Sequence, residues 1–320
     1  MKRGYIAAAI LVSVIIVFGG TYLTYSRDMQ TIRDRLSTGS QVIQTQHGSI
    51  EYTEWGDGPA VLVVHGAGGG YDQGNLITRA FGGEGFRWIV PSRFGYLRTP
   101  IPADASTAAQ ADAFAELLDT LEIERVAVIG FSGGVPPSLQ FAQRYPERTS
   151  ALVLLSSAPY TPLTAGEQKL PVPIWIYQAL FSSDFPYWLL KQVASGSLEP
   201  IFDVTPALRA ELTPEEQAFV ANMIDAFQPV TGRIDGVRNE GAAIDPRARY
   251  LLEEITTPAL VIHSKDDHIN PFAFGEYTAL HLHGAQFMPL TTGGHLLLGH
   301  HAEVRARVNA FLRQYPAAAK

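Results

Sequence analysis

Along most of the chain, short runs of apolar, β-branched residues alternate with stretches whose apolar positions recur every three to four residues. Ala60-Val61-Leu62-Val63-Val64, Arg87-Trp88-Ile89-Val90, Arg125-Val126-Ala127-Val128-Ile129, Ser150 to Leu155, Ala259-Leu260-Val261-Ile262 and Gln286 to Leu290 read as buried strands. Thr107 to Leu121 places Ala111, Phe114, Leu117, Leu118 and Leu121 on one helical face. Val135 to Tyr145 does the same with Leu139, Ala142 and Tyr145, and a last helix runs from about Ala302 to Tyr315. Gln41 to Thr45 and Ser49 to Trp55, with His47-Gly48 between them, predict a β-hairpin. Strand and helix in alternation predict the α/β class, with a mostly parallel sheet.

Two stretches break the pattern. From 160 to 245 no strand is recognisable. Leu170 to Leu190 is crowded with Trp175, Tyr177, Phe181, Phe185, Tyr187 and Trp188 and interrupted by Pro171, Pro173 and Pro186, and Thr213-Pro214-Glu215-Glu216 is a helix start. This predicts a helical insertion, 160–245, within a core made of 41–159 and 246–320. Its aromatics either knit the insertion together or face a cleft beneath it. The second break is the N-terminus, where Lys2 and Arg3 precede an uncharged stretch from Gly4 to Ser26 whose centre, Ile6 to Phe18, is almost wholly apolar. About 20 such residues cross a bilayer. The expectation is a transmembrane signal anchor over 1–26 and a polar linker over 27–40, with a single-pass protein whose globular part is extracytoplasmic. The alternative is secretion after signal cleavage, although Gly19-Gly20-Thr21 makes a poor cleavage site. Lys2 and Arg3 favour a cytoplasmic N-terminus; Arg27, Arg33 and Arg35 argue against it.

Composition narrows the chemistry. The 320 residues carry a net charge of −7, which gives no reason to expect nucleic acid as a partner. The absence of cysteine excludes disulfides, thiolate metal sites and a cysteine nucleophile.

The candidate chemistry centres on Gly130-Phe131-Ser132-Gly133-Gly134, a G-x-S-x-G between a buried strand and a helix. A serine at such a turn is forced into an unusual backbone conformation, so its neighbours must be small. Gly133 offers an unobstructed N–H beside the hydroxyl, and the helix N-terminus adds positive potential where an oxyanion would form. A second glycine-rich loop, His65-Gly66-Ala67-Gly68-Gly69-Gly70, follows the Ala60 to Val64 strand. It fails the dinucleotide fingerprint at Tyr71, and no G-K-[ST] follows, so an oxyanion loop fits better than a phosphate cradle. A serine hydroxyl needs a base and a group to orient that base. His295 and Asp267 both follow strands, in the chain order Ser132, Asp267, His295, at the strand ends where open α/β sheets build sites. Asp266 competes with Asp267; the spacing to Pro271 favours Asp267. His268, His300 and His301 read as surface residues, and His281 and His283, two apart with no third ligand, as solvated histidines rather than a metal site. His65 reads as a support for its loop.

With these pieces in this order, residues 41 to 315 resemble the α/β-hydrolase superfamily, in its serine-nucleophile branch with a helical cap. The resemblance implies an α/β-hydrolase fold with helices on both faces of the sheet and the insertion as a cap. It implies Ser132 as nucleophile, His295 as general base and then acid, Asp267 as orienting carboxylate, and the Ala67 and Gly133 N–H groups as oxyanion hole, with no cofactor or metal. The expected activity is cleavage of an ester-type bond in a small to medium, partly apolar molecule, with the membrane as a further partner through residues 4–26. The alternatives are amide, thioester, lactone or C–C hydrolysis or cofactor-free peroxidation on the same triad, and a non-catalytic binding module.

Overall fold

A computed structural model of the chain describes residues 2–164, 166 and 172–317; Leu170 and Pro171 of the aromatic stretch lie outside them. The chain begins with helix α1 (Lys2–Thr38), followed by strands β1 (Gln41–Thr45), β2 (Gly48–Trp55) and β3 (Ala60–Val64). Helix α2 (Tyr71–Phe81), β4 (Arg87–Pro91), α3 (Thr107–Thr120), β5 (Val126–Phe131), α4 (Val135–Arg144) and β6 (Thr149–Leu155) come next. Between β6 and the next strand lie α5 (Ile174–Leu180), α6 (Asp184–Ala194), α7 (Pro206–Glu211), α8 (Pro214–Asp225) and α9 (Ile234–Asn239). The chain closes with β7 (Ala259–Ser264), α10 (Phe272–His281), β8 (Gln286–Leu290) and α11 (His301–Gln314).

The eight strands form one sheet in the order β1-β2-β4-β3-β5-β6-β7-β8. The hairpin pairs antiparallel and joins β4 antiparallel; every other pairing is parallel. Side chains alternate across a strand, so β3 sends Val61 and Val63 into one apolar layer and Leu62 and Val64 into the other. α2 and α11 cover the first face, and α3, α4 and α10 the second. Strands buried on both sides must be apolar throughout, which explains the unbroken runs at β3, β5 and β6. α8 opens as Thr213 and Glu216 suggest, with both halves of a capping box formed.

The N-terminus departs from expectation. Among the described residues no helix is long and apolar enough to cross a membrane. This overturns the transmembrane signal anchor over 1–26, the membrane as a partner through residues 4–26, and single-pass localisation with an extracytoplasmic domain. The reason lies in composition. The apolar run from Ile6 to Phe18 falls short of the ~20 residues a span requires, and Gly19, Gly20, Thr21, Thr24 and Ser26 dilute the stretch after it. The helix then continues without a break through Arg27, Asp28, Arg33, Asp34 and Arg35. Its C-terminal half docks on protein. Met29 and Leu36 are buried, Asp28 accepts a 2.9 Å bond from the Trp188 indole, and Arg33 pairs with Asp184 at 3.0 Å. Tyr25 packs edge-on against Phe185 and Trp188.

Candidate functional site

β5 ends in the middle of the sheet and turns directly into α4, with Ser132 at the turn in a left-handed conformation, φ 51°. The turn is held by tight packing. A Cβ on Gly134 would overlap the Val64 carbonyl oxygen, so only glycine fits between the elbow and β3. α4 begins at Val135 with prolines in its first turn, where their missing N–H groups cost nothing.

Two loops bring the other side chains to Ser132. After β8, Gly293 and Gly294, both at positive φ, turn the chain so that His295 faces the elbow. Its Nε2 lies 3.0 Å from Ser132 Oγ and its Nδ1 2.9 Å from Asp267 Oδ2. Asp267, in the loop after β7, is fixed by its Oδ1, which accepts the backbone N–H groups of Ile269 (2.9 Å) and Asn270 (2.8 Å). Burial alone would raise the Asp267 carboxyl, but His295 and the hydrogen bonds from His263 and His295 outweigh it and hold it well below the usual carboxylate range. For His295, burial favours the neutral ring; the charge and hydrogen bond of Asp267, with Asp203 behind, prevail and raise it above its ordinary value. Asn270 donates to Ser132 Oγ at 3.4 Å and to the Ser156 carbonyl at 3.0 Å.

The other side of Ser132 is the loop after β3. A Cβ on Gly133 would stand 3.2 Å from the Ala67 nitrogen, so this loop closes tightly against the elbow. His65 supports this loop. Arg93 N–H donates to its Nε2 at 2.9 Å, which leaves Nδ1 as the donor to Gly66 O at 2.7 Å. Full burial, with Arg93 nearby, keeps its pKa well below the ordinary histidine value, as a ring that must both accept and donate requires. Arg93 reaches the elbow itself, donating to the Gly133 carbonyl and pairing with Glu240, which also accepts from the Tyr96 hydroxyl. Phe227 sits directly over Gly68, its ring filling the place a Cβ would take, and packs against Phe181, Tyr187 and Phe202. Ser132, Asp267 and His295 are each only 6% exposed.

The remaining expectations sort differently. Asp266 does not touch the His295 ring; its carboxylate accepts the N–H groups of Gly294 (2.9 Å) and Gly293 (3.3 Å) and so shapes the loop. His301 is buried, not superficial, between Phe81 and Phe219, with Nε2 3.1 Å from Leu296 O. His268 pairs with Asp203 at 2.8 Å, and His281 stacks on Tyr277. Among the described residues no three of His, Asp and Glu gather as a metal site. Sequence reasoning missed His263, whose Nε2 lies 3.3 Å from Asp267 Oδ2, and Asp203, Phe227 and Glu240 from the β6–β7 segment. His263 had a signal, as a polar residue at the end of an apolar strand; the other three had none.

A family model described as alpha/beta hydrolase fold matches residues 59–302. The uncharacterized hydrolase YcgS of Bacillus subtilis is 30% identical over 273 residues, 80% of this chain and 92% of that protein. A 2-hydroxy-6-oxononadienedioate/2-hydroxy-6-oxononatrienedioate hydrolase of Burkholderia vietnamiensis is 28% identical over 282 residues, 83% of this chain and 91% of that one. Among solved structures, an alpha/beta hydrolase fold protein from Nakamurella multipartita has a TM-score of 0.74 at 27% identity, covering 86% of this chain and 99% of its own.

Proposed function

This chain belongs to the α/β-hydrolase fold family, and from that premise we propose that it is a serine hydrolase that cleaves an ester-type bond through an acyl-enzyme. The observation that carries the reading is the His295 ring, 3.0 Å from Ser132 Oγ on one side and 2.9 Å from Asp267 on the other. Ser132 Oγ attacks the acyl carbon while His295 Nε2 takes its proton, and Asp267 stabilises the imidazolium that forms. The Ala67 and Gly133 N–H groups receive the oxyanion. The imidazolium then protonates the departing alkoxide, and a water deprotonated by His295 releases the acid and restores Ser132. The β6–β7 segment acts as a cap over this chemistry, and the Phe227 cluster gives the pocket an apolar wall suited to a small or medium, partly apolar substrate.

A second reading, hydrolysis of a carbon–carbon bond next to a ketone on the same three side chains, draws on the relatives named as 2-hydroxy-6-oxononadienedioate hydrolases. Chromogenic esters of increasing acyl length, assayed beside a 2-hydroxy-6-oxo-dienedioate, separate the two. Ester turnover that disappears in Ser132→Ala, with a fluorophosphonate labelling Ser132 alone, is the expected result. Turnover of the dienedioate alone would favour the second reading, and label on another residue would defeat both.

A further inference from the structure

We infer that Asp203 is a positioning residue for His295: a second carboxylate, supplied by the β6–β7 segment, that ties together the two loops carrying His295 and Asp267. The inference rests on the proposed reading of His295 as the base. Asp203 ends the 3₁₀ turn Ser195–Phe202 in a left-handed conformation, φ 63° and ψ 26°. It is 3% exposed. One oxygen, Oδ2, accepts the backbone N–H of His295 at 3.0 Å and that of His268 at 3.0 Å. The other, Oδ1, lies 2.8 Å from His268 Nδ1. His268 adjoins Asp267, so this carboxylate clamps the β7–α10 loop against the β8–α11 loop.

That arrangement has two consequences. The first is geometric. The 2.9 Å contact between His295 and Asp267 joins two independent loops, and Asp203 holds the backbone of both. Positioning of this kind governs rate steeply, because small displacements of a reacting group are expensive. The second is electrostatic. The groups around His295 are Asp267 from the β7–α10 loop, Asp203 from the β6–β7 segment, Asp266 bonded to the Gly293 and Gly294 amides, the His263 ring behind Asp267, the His268 ring on Asp203, and the Arg93–Glu240 pair beside Gly133. Among these, Asp203 adds negative charge that favours the protonated His295 ring beyond what Asp267 supplies. Burial in turn pushes the Asp203 carboxyl above its ordinary value, a cost offset by its hydrogen-bond donors.

Asp203→Asn is nearly isosteric, and Asp203→Gly suits the left-handed turn and removes the side chain entirely, so each variant keeps the backbone. Both are measured for kcat, for the pH profile of kcat/KM and for melting temperature, with Ser132→Ala as control. The expected result is a kcat lower by ~10-fold or more in Asp203→Gly and by less in Asp203→Asn. In both, the acid limb should move to lower pH by ~0.5 unit or more, because loss of a negative charge disfavours the imidazolium. A purely structural role would lower the melting temperature and leave that limb in place. An unmoved limb, or one moved to higher pH, overturns the inference; if Asp203→Gly does not fold, Asp203→Asn decides alone. An active Ser132→Ala would instead defeat the reading beneath it, so the two failures are distinguishable.

Discussion

Two adjacent carboxylates, Asp266 and Asp267, have different partners, and their substitution should separate accordingly. Asp267→Asn presents an amide to His295 Nδ1 and favours the wrong tautomer, so kcat should fall by ~10⁴-fold. Asp266→Asn weakens its bonds to the Gly293 and Gly294 amides and to the Ser264 hydroxyl, none of which reaches the His295 ring, and its loss should stay within ~10-fold. Steady-state kinetics on the two variants checks this; a larger loss in Asp266→Asn would reverse their roles. The pH profile follows from the same contacts. Because His295 is raised above its ordinary value, activity should be lost on acidification with a midpoint above about 6.5. At this scale the sequence is informative where a residue sits at a strand end beside glycine or in a short turn: Ser132, Asp267 and His295 stand out on that ground, and the structure brings their side chains within hydrogen-bond distance. Asp203 carries no such mark. Its importance comes from where the β6–β7 segment folds back, which no local pattern encodes.

Among the elements, β3, β5, β6 and β7 are the most readable strands, since strands buried on both faces hold almost only apolar residues. The aromatics of the β6–β7 segment are readable as a group, but not by direction. Trp188 is 3% exposed and faces α1, through Asp28 and Tyr25, whereas Phe227 faces the Gly68 loop. Trp188→Ala should therefore lower the melting temperature by several degrees and leave the dependence of kcat/KM on acyl length unchanged. Phe227→Ala should move the plateau of that profile to longer chains, with each added methylene worth up to about 0.8 kcal/mol, or roughly fourfold, until the space is filled. A profile that shifts in Trp188→Ala and not in Phe227→Ala would exchange these assignments. α1 defeats the sequence reading because a long hydropathy window joins its apolar run to a glycine- and threonine-containing turn, while the helix itself goes on to pair its charges with α6.

At the scale of the whole molecule, buried neutral histidines link stability to pH. His65 is held well below its ordinary value by burial, and His301 is lowered for the same reason. The unfolded chain therefore binds more protons than the folded one as pH falls below about 6.5, and stability must decline in that window. His295 and Asp267 act elsewhere. The raised His295 contributes stability at low pH that is lost as pH rises through its folded value, and the depressed Asp267 contributes stability that is lost only at strongly acid pH. Urea unfolding at pH 6.5 and 5.5 should show the wild type weaker at 5.5, with a smaller difference in His65→Asn. An equal pH difference in both proteins would remove His65 from the account.

Around the site, the β6–β7 segment meets the core through Asp203 at His295, Glu240 at Arg93 and Phe227 at Gly68. Each of these three contacts is with a residue beside Ser132 or its loops. The segment is thus no interchangeable module. A chimera that grafts a foreign segment between β6 and β7 to change selectivity would take over a core built to be finished by its own. Such a graft should turn over slowly, however well the two halves fold, until it also carries an aspartate in a left-handed turn opposite the His295 amide.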